Sequence, residues 1–172
     1  MSWVAFPAVL VVLSAGCGLL VDELAGSRTP TPLLLPLGIS AVIAVSSLVV
    51  TVASVATLAT PLVAALAAAG FVLTRRRDLE SWPFVAAAAV FVVYGAPVLF
   101  SGTATFAGYI KLDDTATFLA LTDRIMDHGR SLAGLAPSTY EATLSVNLAH
   151  GYPLGSLLPL GVEVGSPAAQ DE

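Results

Sequence analysis

Asp113 and Asp114 are adjacent carboxylates, and Tyr109-Ile110-Lys111 stands just before them. Such a pair can take a proton from an acceptor hydroxyl, orient that hydroxyl, or help to hold a divalent cation against phosphates. Lys111, Arg124, His128 and Arg130 follow or flank the pair and carry donors suited to a phosphate or a sugar. The same acids have a structural reading: an Asp directly before a helix caps its free N–H groups, and a second acid in the first turn suits the helix dipole. The two roles are compatible. His128 and His150 are isolated and lack metal-ligand spacing, so surface or loop positions are expected of them. Cys17 is the only cysteine, which excludes a disulfide framework and a cysteine metal centre. No metal site and no cofactor are predicted; a divalent cation at the acidic pair has no further ligands to support it.

The elements that must position this pair are apolar. Of the 172 residues, 56% are hydrophobic and 11% charged, against about 25% charged in an ordinary soluble domain. Lipid is therefore the expected solvent for much of the chain. Met1 to Val21 is free of charge and long enough to span. No charge appears from Thr29 to Thr74. A single helix of that length, at about 1.5 Å per residue, exceeds a hydrocarbon core of roughly 30 Å, so the stretch folds back on itself. Thr51, Ser54, Thr57, Thr60 and Pro61 mark the reversal. Ala64, Ala65, Ala67, Ala68, Ala69 and Gly70 allow close helix approach in lipid. A further span opens at Trp82.

The reading is all-α: a polytopic transmembrane helix bundle of about four spans, near 2–21, 33–52, 60–74 and 82–100, followed by an extracytoplasmic segment over 101–172. That segment is expected to hold an amphipathic interfacial helix over 113–130. Phe118, Leu121 and Ile125, with Leu119 and Met126, form its apolar face; Asp123, Arg124, Asp127 and Arg130 lie largely on the other. Pro137 to Tyr140 reads as a turn. Leu144–Leu160, broken by Gly151, Pro153, Gly155 and Pro159, reads as a loop or a short re-entrant piece, and Val164–Glu172 as a polar tail.

Charge placement orients the bundle. Arg75-Arg76-Arg77 is the strongest signal, because basic loops stay cytoplasmic. Counting from it puts the N-terminus and the segment after 101 outside, in a bacterial cell (inner) membrane. The loop at 21–32, inside by that count, carries one Arg against two acids. From residue 101 onward there are three basic and eight acidic residues; no basic stripe exists for a nucleic-acid partner. The lipid bilayer is the partner the composition implies.

The run Phe106-Ala-Gly-Tyr-Ile-Lys-Leu-Asp113-Asp114-Thr-Ala-Thr-Phe-Leu-Ala-Leu-Thr-Asp, followed by His150-Gly-Tyr-Pro-Leu-Gly, resembles the N-terminal part of large actinobacterial multi-span proteins of the GT-C class of membrane glycosyltransferases. It covers about residues 80–160. The resemblance implies inverting transfer of a hexosyl or pentosyl unit from a polyprenyl-phosphate-linked sugar to an extracytoplasmic acceptor. Asp113 or Asp114 would be the base and Lys111 a phosphate contact. Such enzymes have many more spans, so the resemblance implies an N-terminal portion that is inactive alone. The other reading is a small non-enzymatic membrane scaffold or accessory subunit whose interfacial helix docks a partner.

Overall fold

The computed structural model describes residues 2–74, 78–101 and 113–164. Among the described residues every regular element is helical. In chain order these are α1 (Ser2–Leu24), α2 (Thr31–Val50), a short 3-10 helix (Ala53–Leu58) leading into α3 (Ala59–Leu73), α4 (Trp82–Ser101), α5 (Asp113–His128), α6 (Thr139–Ala149) and α7 (Leu158–Val164). The tail after Val164 lies outside the described residues.

Among the described residues three stretches are long and apolar enough to cross a membrane: Pro7–Leu24, Thr31–Val50 and Ala53–Leu73. Helix α4 is 20 residues long and uncharged, and its apolar stretch Trp82–Ala96 is shorter. The protein is thus an all-α membrane bundle. Two boundaries differ from expectation. The third span starts at the 3-10 helix rather than at Thr60. The first helix continues past Val21 to Leu24, because the buried Asp22 is satisfied locally. Its Oδ1 accepts from Ser27 Oγ at 3.0 Å and from the Thr29 N–H at 2.7 Å. Gly26, at φ 61°, supplies the left-handed residue that ends the helix.

Helix α1 lies between α2 and α3 and meets both through small residues. A Cβ at Gly38 would strike the Ser14 carbonyl oxygen, and one at Gly18 the Leu34 carbonyl. On the α3 side, a Cβ at Gly16 would lie 2.5 Å from the Ala67 oxygen, and one at Gly70 would strike the Gly16 carbonyl. The pairs 14/38 and 18/34 make α1 and α2 antiparallel; 16/67 and 20/70 make α1 and α3 parallel. Lipid tails are as apolar as these side chains, so close backbone packing rather than hydrophobic burial holds the helices together. After Thr31 the buried residues of α2, Leu34, Gly38, Val42, Ser46 and Val50, recur every fourth residue, forming one ridge that packs into a groove. Val11, Val12, Leu33, Leu48, Leu62 and Val72 are exposed on the outer faces, as lipid contact requires.

Helices α5 to α7 close the end of the bundle where α2 turns into α3. One apolar core runs from Cys17, Val42 and Val63 through Ala56 and Ala59 to Leu121, Ile125, Leu144, Leu154, Leu158 and Val162. A Cβ on Gly155 would sit 3.4 Å from Ile43 Cγ2. Ile43 lies about 10 Å below Val50 along α2, so the chain around 155 dips beside the spanning helices. The loop reading does not hold over 144–149, where α6 is helical. Its cause is Ser138, whose Oγ accepts from the Glu141 N–H at 3.1 Å, three residues on, as in a capping box. On helix α4, Val85, Val90, Val92, Val93 and Tyr94 are exposed.

Candidate functional site

Helix α5 carries the residues singled out for chemistry, and its orientation follows from its apolar stripe. Leu121, Ile125 and Met126 are buried, facing the 3-10 helix and α7. Phe118 packs against the Tyr152 ring with centroids 6.2 Å apart. Leu119 is 54% exposed and takes no part in that face. Asp113 and Asp114 form the first turn of α5. Their side chains lie outside the described residues, as does the whole of Lys111.

Arg124 is the largest departure from the amphipathic reading. It is 7% exposed and turns inward rather than to water. Its Nε donates to the Ser131 carbonyl at 2.8 Å and its Nη2 to the Ala133 carbonyl at 2.7 Å. The physical reason is angular. At about 100° per residue Arg124 stands only about 60° from Leu121, on the flank of the apolar stripe. Its long side chain reaches past the helix end, where the returning loop offers carbonyls. That loop exists because Gly129, at φ 59°, stops α5 at His128 rather than at Arg130. A Cβ there would also approach the Val50 carbonyl oxygen to 2.6 Å.

His128 is exposed. Arg130 is exposed, and its Nη2 donates to the Tyr152 carbonyl at 3.2 Å. Asp123 accepts from the Tyr140 hydroxyl at 3.3 Å. Burial, then the Asp123 charge and this hydrogen bond, push the Tyr140 hydroxyl above its ordinary 10.0. His150 is exposed, with Nδ1 2.6 Å from the Val146 carbonyl. The predicted residues therefore form two groups. The acidic pair opens α5, and His128 and Arg130 stand at its far end, about 22 Å away along the axis. Among the described residues no three His, Cys, Asp or Glu side chains converge as metal ligands.

A second polar region occupies the opposite end of the bundle. Asp22, Glu23, Ser27, Arg28, Thr74 and Asp78 line an open cavity of about 790 Å³ there. Sequence reasoning passed over Asp22, since a charge ending an apolar run reads simply as the start of a loop. Its spacing to Ser27 and Thr29, both able to bond a carboxylate, was the available signal. Comparison with family models, with curated proteins and with solved structures gave no match to this chain.

Proposed function

We propose that this protein is the acid-bearing, membrane-surface part of a GT-C type glycosyltransferase, which moves a sugar from a polyprenyl phosphate to an extracytoplasmic acceptor. The observation that carries the reading is the acidic pair in the first turn of an amphipathic helix that shares its apolar core with the spanning bundle. A helix start anchored this way has a fixed place relative to the bundle, and in this proposal the pair meets the reacting carbon of the lipid-linked sugar at the membrane surface. Asp113 or Asp114 accepts the proton of the acceptor hydroxyl. The hydroxyl oxygen then bonds to the anomeric carbon, and the polyprenyl phosphate leaves on the opposite face with the bond electrons. In this proposal α4 is a fourth span, Arg75–Arg77 face the cytosol of a bacterial cell, and residues 101–172 are extracytoplasmic. Lys111 is a phosphate contact.

The test is transfer of radiolabelled sugar from a polyprenyl phosphate by membranes holding the polytopic protein with the further spans that the resemblance implies. Asp113→Asn or Asp114→Asn lowers turnover by about a hundredfold or more at unchanged abundance. Loss of a helix cap alone costs only about 1 kcal/mol of stability. Wild-type turnover in both variants overturns the reading.

One observation favours a non-enzymatic scaffold instead. The described polar groups do not converge: His128 and Arg130 lie a helix length from the pair, and Arg124 and Arg130 are bonded to backbone carbonyls. On that reading the two Asn variants lose stability and nothing else.

A further inference from the structure

The turn between α2 and α3 and the last two turns of α5 bound an open cavity of about 290 Å³, lined by Ala53, Ser54, Arg124, His128, Ser131 and Ala133. Arg124 is the buried member. Two of its five N–H groups reach neutral carbonyls. Those bonds fix the guanidinium plane but leave its charge unbalanced, because no carboxylate among the described residues pairs with it. Asp123, beside it on α5, is engaged by Tyr140, and Asp127 is exposed. The 3-10 helix and the 131–133 loop contribute no acid to the cavity. A guanidinium withdrawn from water without a counter-ion is costly, and an anion entering the cavity removes that cost through charge-assisted hydrogen bonds. The wall is equipped for one. His128 adds a second nitrogen donor, Ser54 a free hydroxyl, and Ser131 an O–H whose oxygen already accepts from the Ala133 N–H at 3.2 Å.

The location narrows the anion. Ala53 and Ser54 are the first two residues of the third membrane-crossing stretch, just past the turn from α2, and the end of such a stretch stands near the lipid headgroups, whose charge resides on phosphate. We propose that this cavity binds a phosphate group at the membrane surface, as the diester of an anionic phospholipid headgroup or as free phosphate, with Arg124 as anchor and His128, Ser54 and Ser131 as donors. The site does not depend on sugar transfer. It lies at the opposite end of α5 from the acidic pair, and binding is measured without turnover.

The experiment uses the whole chain, purified in detergent and in nanodiscs. One arm titrates inorganic phosphate against chloride at constant ionic strength and follows thermal unfolding. The other compares phosphatidylcholine nanodiscs with and without phosphatidylglycerol. Stabilisation in the first arm identifies free phosphate as sufficient; stabilisation in the second alone identifies the headgroup diester. In whichever arm responds, His128→Ala weakens the apparent affinity at least fivefold. Ser54→Asp sets a carboxylate beside Arg124, abolishes the response, and raises the unfolding temperature in the absence of either probe, which a damaged fold would not do. Arg124→Gln removes the response too, with a loss of stability of its own. No response of the wild type in either arm overturns the proposal, as does wild-type affinity in both His128→Ala and Ser54→Asp.

Discussion

Arg124 shows how one side chain can belong to the polar set by type and to the core by position. Its two backbone acceptors tie the 131–133 loop to the end of α5, and each is a hydrogen bond from a charged donor. Arg124→Lys keeps the charge but cannot fork between two carbonyls. We expect Arg124→Lys and Arg124→Gln each to lower stability by about 2–3 kcal/mol, read from the unfolding midpoint in detergent. A lysine variant as stable as wild type would mean that the charge, not the fork, holds the loop. Tyr140 gives a pH test of the neighbouring contact. Its hydroxyl is raised above 10.0 by burial and by Asp123, so the fold favours the neutral phenol. That stabilisation is complete below the unfolded value and fades as pH rises through the raised folded value. Ultraviolet titration of the phenolate should therefore show a late-ionising component that Tyr140→Phe removes. In Asp123→Asn the same tyrosine ionises earlier.

At the scale of elements, the crossing of α1 with its two neighbours is the most constrained feature. Gly38 faces the Ser14 backbone directly, so an added side chain has no flexible atom to displace and the helices must separate. Gly38→Val is expected to cost about 3 kcal/mol or more, at the top of the range for overpacking. Gly155→Ala, with ordinary contact to Ile43 Cγ2, changes little. The unfolding midpoints of the two variants compare helix-crossing packing with loop packing directly. These helices were legible as helices because lipid offers the backbone no other hydrogen-bond partner, so a charge-free run of sufficient length has one structure available. Which faces meet was less legible. The alanine-rich run of α3 signalled close approach, yet only Ala67 and Gly70 of it are buried, while Ala64, Ala65 and Ala68 remain exposed. The partners of Gly16 and Gly18 are set by what stands opposite, and one helix alone does not encode that. Helix α6 was missed because Gly151, Pro153 and Pro159 made the whole stretch read as broken, and Ser138 with Glu141 read as part of a turn rather than as a helix start. Those breakers act only after Ala149. Of the candidate site, the acidic pair at a helix start was legible, whereas the inward turn of Arg124 depended on a loop that exists only once α5 has ended.

For the whole molecule, the decisive property is that its two polar regions lie at opposite ends of one bundle. The loop after α1, with Asp22 and Glu23, lies beside the end of α3; α5 to α7 cover the turn between α2 and α3. A bilayer around the three membrane-crossing stretches therefore separates Glu23 from His150, both exposed. Cysteine labelling tests this cleanly, since Cys17 is the only native thiol and is buried, with a weak contact to the Val63 carbonyl. Its replacement by alanine leaves a silent background. In Cys17→Ala cells an impermeant maleimide is expected to modify His150→Cys in intact cells, and Glu23→Cys only after permeabilisation. The two positions bear on different claims. Modification of both from one side would contradict the arrangement of spans itself. Modification in the reverse order would preserve the bundle but turn the acidic helix toward the cytosol, removing the basis for transfer to an extracytoplasmic acceptor while leaving the phosphate cavity at a membrane surface. In the proposed orientation the arginine triplet is the charge that sets this sense. Replacing Arg75, Arg76 and Arg77 together with glutamine should therefore yield a mixed population in which His150→Cys loses part of its labelling from outside.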